Sequence, residues 1–238
     1  MREYVVRLSS LTVENIKNVK KGTIFMPLAK ERKLKLGGAE ILGIYGQNGS
    51  GKTAIVDTLF FLQRIMIGKE LDQNLIDYID IDSSDAKVNA EFKIFGPNIL
   101  FEVGYYINLI KQNGEVKINR EYLNCAINKD GIRTNKNIFI DYKYNETECI
   151  FKPQKRLDEV VGKNQETKMD LIVARKIAEK SNCSYIFGES SREILCREYN
   201  NDFKSYGIVI RELFDFALRD LFVIRNTHSG MITANFLL

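Results

Sequence analysis

The strongest restriction on the fold comes from eight consecutive residues that match the pattern G-x-x-x-x-G-K-[ST] in full: Gly46-Gln47-Asn48-Gly49-Ser50-Gly51-Lys52-Thr53. Glycines at these spacings let the backbone turn tightly, so that successive amide N–H groups face one hollow. The helix predicted to begin there directs the positive end of its dipole into the same hollow. A polyanion suits this arrangement, and the sequence therefore predicts a site for nucleotide phosphates.

The motif also predicts a role for individual side chains. The Lys52 ammonium is expected to bridge the β- and γ-phosphates as a point charge, and the Thr53 hydroxyl to bind Mg²⁺. We assign the ATP contacts to residues 46–53 and to Ala54, the next residue of the predicted helix. A match of this kind arises by chance in roughly one chain in a hundred of this length. The sequence identifies no catalytic residue.

The residues around the motif predict its structural setting. The apolar run 41–46 predicts a short strand that enters the loop, and apolar residues between 54 and 66 recur at helical spacing before Gly68. The first 28 residues predict two strands joined by a turn at 18–22. We therefore expect an α/β P-loop NTPase fold with a mixed sheet.

The rest of the chain divides into a β-rich part and a helical part. Acidic residues 69–86 predict a short surface helix and a loop. Residues 88–140 alternate between apolar and polar, with turns at Asn113-Gly114 and 129–131, which predicts an antiparallel lobe. Helices follow around 169–177 and 209–218, and 221–224 is an apolar run. We place the ATPase part at 1–150 and a helical subdomain at 151–238, connected by polar residues 152–168.

Composition disfavours several other function classes. The chain is 45% hydrophobic and 28% charged, which is typical of a globular protein. It has no apolar run of about 18 residues and no signal peptide, so we expect a cytoplasmic protein without a membrane span. A single histidine, His228, disfavours a Ser-His-Asp hydrolase. A net charge of +4 does not by itself indicate nucleic acid. A zinc site is disfavoured by the scattered cysteines, Cys125, Cys149, Cys183 and Cys196.

Two other classes of P-loop protein fit less well. A GTPase needs the motifs D-x-x-G and N-K-x-D, but Asn128-Lys129-Asp130-Gly131 has glycine where the last aspartate is required. A small-molecule kinase needs an arginine-rich lid. Arg192 and Arg197 are candidates for that lid, although a solvated helix face also explains them.

The order of the elements resembles the N-terminal half of an ABC-type ATPase head of the SMC, RecN and OLD group. The loop has the form G-x-N-G-[SA]-G-K-[ST], with a strand pair before it and antiparallel strands after it. Residues 11–17 resemble the opening strand of that group, which ends in Asn-Phe-Arg, with Ile16 and Lys17 in place of Phe and Arg. The resemblance implies a nucleotide contact from Lys17. Within the group, the chain is most similar to stand-alone prokaryotic AAA-type ATPases, including those of anti-phage defence operons.

The resemblance also implies motifs that this sequence lacks. Four apolar residues followed by Asp-Glu should form a Walker B segment, yet the nearest match, 138–141, continues with Tyr142. A Leu-Ser-Gly-Gly-Gln signature is missing as well. Gln112, Gln154 and Gln165 are unranked candidates for the Q-loop glutamine. We therefore expect this chain to stop before Walker B, as a segment of a longer ATPase.

The function implied by the resemblance is an ATP-driven cycle. ATP and Mg²⁺ would join two heads into a homo-oligomer, and hydrolysis would separate them, which gates an effector such as a nuclease, a toxin or a DNA segment. Nucleic acid enters by analogy alone, with basic residues 30–35 and 152–156 as candidate contacts. Two alternatives stay open: a complete small phosphotransferase, and a scaffold that senses ATP without hydrolysing it.

Overall fold

A computed structural model describes residues 3–31, 41–144, 165–196, 204–226 and 232–234. Its main element is a seven-stranded sheet in the order β2-β1-β3-β4-β5-β6, with β7 also paired to β5. Every strand pair of the described residues is antiparallel. The strands of this sheet are β1 (Val5–Ile16), β2 (Val19–Phe25), β3 (Asp85–Gly96), β4 (Ile99–Gln112), β5 (Glu115–Lys129), β6 (Ile132–Arg133) and β7 (Asn137–Lys143).

The turns of the sheet follow from local sequence. Asn113 and Gly114 adopt φ values of 53° and 80°, the left-handed conformation that a two-residue hairpin requires, and the predicted β4–β5 hairpin is present. Asp130 and Gly131 make the next turn with φ of 51° and 83°. Tyr106 and Tyr122 face each other across β4 and β5, and their rings stack at 4.7 Å.

The helices lie against this sheet and continue its core. They are α1 (Lys52–Met66), a 3-10 helix (Gln73–Tyr78), α2 (Gln165–Ser181), α3 (Glu189–Leu195) and α4 (Lys204–Arg219), and a small hairpin is formed by β8 (Ile224–Asn226) and β9 (Ile232–Ala234). Phe92 of β3 packs edge-on against Phe216 of α4, and Tyr105 of β4 against Phe187, with ring centroids 5.8 and 5.2 Å apart. The sheet and the C-terminal helices thus share one hydrophobic core.

Most of the predicted elements are confirmed. Helix α1 begins at the predicted loop, and Gly68 follows its end with φ of 71°. Residues 152–164 of the predicted connection lie outside the described residues, and residues 165–168 already belong to α2. The boundary at 150 also lies outside them. None of the described helices combines the length with the apolar character that a membrane-spanning helix needs.

The strand predicted at 41–46 is absent, and that prediction is wrong. These residues have no regular secondary structure; Ile41 is 83% and Tyr45 94% exposed. A strand is stabilised by hydrogen bonds to its neighbours, and no described strand runs beside this segment. The expected mixed sheet is therefore an antiparallel one in the described residues, without the parallel strands of a P-loop NTPase core.

Candidate functional site

The eight-residue motif forms a loop that opens directly into α1. Gly49 and Gly51 adopt φ values of 83° and 89°, and the helix begins at Lys52. The Lys52 Nζ donates hydrogen bonds of 2.6 Å to both the Gly46 and Gln47 carbonyl oxygens. The lysine therefore folds back over the loop and holds its positive charge beside the first turn of α1.

Two glycines of the loop have close neighbours, but steric contacts require glycine at Gly51 alone of these two. A Cβ at Gly46 would lie 2.7 Å from Ser50 Oγ, a contact that a rotation of the serine relieves. A Cβ at Gly51 would overlap Val19 Cγ2 at the start of β2, and the left-handed φ at this position strains any L side chain. Gly51 thus lets the loop lie directly against the β1–β2 hairpin.

The turn between β1 and β2 supports the loop from below. The Asn18 side-chain amide donates to the Gly49 carbonyl oxygen. The Lys17 backbone N–H donates to the Tyr78 carbonyl oxygen at 2.7 Å, which joins the same turn to the 3-10 helix. The first contact attaches the loop to the β1–β2 turn, and the second attaches that turn to the 3-10 helix.

Lys17 lies next to the loop but has a partner within the protein. Its ammonium pairs with the buried carboxylate of Asp57 and lies 5.0 Å from the centroid of the Tyr78 ring. A nucleotide contact from Lys17 stays a prediction. Asp57 was not singled out by sequence analysis; the available signal was its place four residues after Thr53, on the same face of α1.

The described residues fit a nucleotide phosphate. The first N–H groups of a helix have no partner inside the helix, so Lys52, Thr53 and Ala54 can present theirs to an anion. Thr53 is exposed, whereas Ala54 is buried, and its contribution is limited to the backbone. Residues 41–50 are all exposed, which leaves the loop open on one side.

The residues of the loop could hold Mg²⁺ only when it is also bound to the phosphates. No group of three His, Cys, Asp or Glu side chains in the described ranges is arranged to hold a metal ion. Mg²⁺ usually keeps several waters and binds phosphates together with one or two protein ligands. The Thr53 hydroxyl would supply such a ligand, while the Asp57 carboxylate is engaged with Lys17.

Asp141, the nearest match to a Walker B aspartate, lies elsewhere. It is buried on β7 and forms a bidentate pair with Arg120 of β5, with N–O distances of 2.8 and 2.9 Å. Four strand spacings separate β7 from β1, or about 19 Å across the sheet. The pair joins two neighbouring strands and leaves the loop without a described Walker B carboxylate.

The remaining candidates are dispersed. Gln112 ends β4, and Gln165 begins α2, so that a Q-loop role for either stays a prediction. The Arg192 guanidinium lies 3.5 Å from the centroid of the Phe214 ring, a contact that packs α3 on α4. Two further candidates lie outside the described residues, Gln154 and Arg197, as do the basic residues 32–35 and 152–156.

A buried carboxylate that sequence analysis missed connects the sheet to the C-terminal part. Glu121 of β5 is fully buried and accepts hydrogen bonds from Tyr105 Oη at 2.6 Å, Ser184 Oγ at 2.8 Å and the backbone N–H groups of Tyr185 and Ile186. Burial raises the pKa of this carboxyl. The signal in the sequence was a Glu in phase with the inward-facing Leu123.

Replacement of Gly51 by alanine is expected to destabilise the protein by about 2 kcal/mol or more, because strain at positive φ adds to the overlap with Val19. Gly49→Ala is the matched control: its φ is also positive, but no atom lies within 4 Å of the added Cβ. We expect a loss of about 1 kcal/mol there. Urea denaturation measures the loss of stability in both variants. Equal losses, or no recovery of Gly51→Ala on adding Val19→Ala, would contradict the steric explanation.

No protein-family model and no curated protein matches the sequence. Among solved structures, the chain is similar to one described as the recombination mediator protein RecF with ATP, in the RecFOR pathway, at 17% sequence identity and a TM-score of 0.29. The match covers 91% of this chain and 56% of the RecF chain, so it spans little more than half of that protein. A TM-score this low does not establish a common fold.

Proposed function

We propose that this chain binds ATP with Mg²⁺ through residues 46–53, as the N-terminal half of an ABC-type ATPase head. The observation that carries the proposal is the position of Lys52: its ammonium lies over the Gly46 and Gln47 carbonyls where α1 begins. A charge held at a helix N-terminus beside two left-handed glycines is the arrangement that binds phosphate.

The residues of the loop would act together on the triphosphate. The Lys52 Nζ exchanges its bonds to loop carbonyls for bonds to the β- and γ-phosphate oxygens, which form stronger, charge-assisted hydrogen bonds. The backbone N–H groups of the first turn of α1 hold the same phosphates, and the Thr53 hydroxyl provides a ligand for the metal. Bound Mg²⁺ neutralises charge on the phosphates.

Part of the site is proposed to come from another polypeptide segment. Apolar residues of the stretch before the loop, among them Ile41 and Tyr45, are exposed, although their sequence is that of a strand. Beside them lies a groove of about 810 Å³, lined by apolar side chains that include Leu8, Ile44 and Phe216. A strand added in this groove would pair with residues 41–46 and bring the missing carboxylates to the loop.

The biological role that we propose rests on the resemblance found in the sequence. ATP binding would join two heads, and hydrolysis would release them. The cycle would gate an effector, such as a nuclease or a toxin, as in stand-alone prokaryotic ATPases of anti-phage defence. A DNA segment is the other candidate partner.

Phosphate release by residues 1–238 tests the divided site. With Mg²⁺ and ATP we expect saturable binding but turnover below about 0.01 s⁻¹, because the two carboxylates considered for the site are engaged elsewhere, Asp57 with Lys17 and Asp141 with Arg120. Adding a segment that restores Walker B should raise turnover. Full activity of this chain alone would contradict the divided site. Transfer to a small acceptor would favour the phosphotransferase, and an ATP-dependent change in mass that no added segment converts into turnover would favour the scaffold.

A further inference from the structure

Helix α2 carries apolar side chains on two opposite faces. The inner face packs into the core through Leu171, Ala174 and Ala178, all buried. The outer face is exposed and carries four large apolar side chains, which we call the outer stripe: Met169 (60% exposed), Ile172 (49%), Val173 (52%) and Ile177 (46%).

The outer stripe has the spacing of a helix-packing surface. Its members recur at intervals of three, four and eight residues, which places them on one side of the helix over about 12 Å. A surface helix that packs on its own domain needs one apolar stripe, and here the inner face supplies it. A second, exposed stripe is a feature of surfaces that bind another polypeptide.

The exposed charged residues beside the outer stripe are acidic at one end of it and basic at the other. Glu166 and Asp170 lie at its N-terminal end, and Lys176 and Lys180 at its C-terminal end; all four are exposed. Within the helix, each pair places like charges four residues apart, which is unfavourable. The helix dipole favours acids near the start and bases near the end, but its effect is confined to the terminal turns.

We propose that the outer stripe is a homotypic contact, in which α2 of one copy packs antiparallel against α2 of a second copy about a two-fold axis at Val173. This register places Met169 against the partner copy's Ile177. It also places Glu166 against Lys180 and Asp170 against Lys176, so that each unfavourable pair within a helix meets opposite charges across the axis. Such self-complementarity is what a two-fold interface requires.

The contact goes beyond the proposed ATP-binding function and uses no residue of the loop. It should therefore form without nucleotide. One pair of short helices buries less than about 1,000 Å² in total, which corresponds to a weak interface. We expect a dissociation constant of about 10–100 μM, within reach of sedimentation at high protein concentration.

Two charge-reversed variants test the register. Glu166→Lys with Asp170→Lys makes the outer face wholly basic, and Lys176→Glu with Lys180→Glu makes it wholly acidic. We expect the unchanged chain to dimerise without ATP, and each variant to associate at least ten-fold more weakly. An equimolar mixture of the two variants should form a heterodimer, because all four cross-axis pairs then have opposite signs. Ile81→Asp, at an exposed apolar side chain outside the stripe, is the control and should dimerise as the unchanged chain does.

Several results would overturn this proposal. They are a chain that stays monomeric at several hundred micromolar, variants that dimerise as well as the parent, and a mixture that stays monomeric although circular dichroism shows both variants folded. If a double variant fails to fold, Val173→Cys replaces it. Two copies of that cysteine meet on the axis and should form an intermolecular disulfide under mild oxidation, which Ile81→Cys should not. Absence of the cross-link would equally contradict the contact.

Discussion

Replacing Lys52 with alanine is expected to weaken ATP binding about 100-fold. The Lys52 ammonium is the positive charge that the structure holds over the loop, within 2.6 Å of two of its carbonyl oxygens. A hydrogen bond that involves a charged group contributes about 1.5–3 kcal/mol, and about 2.7 kcal/mol corresponds to a 100-fold change in affinity. Isothermal titration with Mg²⁺ and ATP measures the effect.

Lys69→Ala is the matched control for this variant. Lys69 is an exposed lysine just beyond the other end of α1, so its loss changes the net charge equally but leaves the loop intact. We expect its ATP affinity to equal that of the parent. Because a ligand that binds the folded state raises its stability, the same concentration of ATP should also raise the melting temperature of the control more than that of Lys52→Ala. Equal affinities for the two variants would contradict the assigned role of Lys52.

Replacing Glu121 with leucine is expected to lower the free energy of unfolding by about 4 kcal/mol. The substitution leaves the buried N–H groups of Tyr185 and Ile186 without an acceptor, and each orphaned donor costs about 1–3 kcal/mol. It also removes the acceptor for the hydroxyls of Tyr105 and Ser184. Urea denaturation measures the loss, and the segment 184–187 should lose its hydrogen-exchange protection.

Glu121→Gln is the matched control because an amide can satisfy the same partners. Its oxygen accepts from the two N–H groups, and its NH₂ donates to the Tyr105 and Ser184 hydroxyls, which accept as well as donate. We expect a loss of at most about 1 kcal/mol at neutral pH. A glutamine variant as unstable as the leucine variant would show that the hydrogen bonds are not what matters.

The difference in stability between the parent and Glu121→Gln is also expected to depend on pH. Burial raises the pKa of the Glu121 carboxyl, so the folded protein binds this proton more tightly than the unfolded chain does. The stability gained from that proton is fully present below the unfolded pKa and is lost as the pH rises through the folded pKa. The parent should therefore gain stability relative to Glu121→Gln as the pH falls toward 4.5, the ordinary value.

The parts of the fold that the sequence predicts are those with local causes. The hairpin at Asn113-Gly114 depends on the left-handed φ of two adjacent residues, and α1 depends on apolar spacing between a glycine loop and Gly68. The conformation of the glycine loop and the position of Lys52 likewise depend on residues close by in the chain. For these elements, neighbours in the chain supply the decisive interactions.

The parts that the sequence does not predict depend on residues far apart in the chain. Residues 41–46 have the composition of a strand, but a strand forms only beside a partner, and the described sheet offers none there. The Lys17–Asp57 pair joins residues that are 40 positions apart, and Glu121 meets partners 63–65 positions away. A carboxylate such as Glu121, in phase with the buried apolar residues of its strand, indicates a buried polar contact, but the sequence does not show which residues are its partners.

Titration of the unchanged chain with ATP and then with AMP, both with Mg²⁺, tests the central claim most directly. If the loop and Lys52 hold the β- and γ-phosphates, ATP binds one-to-one and AMP, which lacks both, binds at least about 100-fold more weakly. Equal affinity for the two nucleotides, or no heat of binding with ATP, would contradict a phosphate site at residues 46–53.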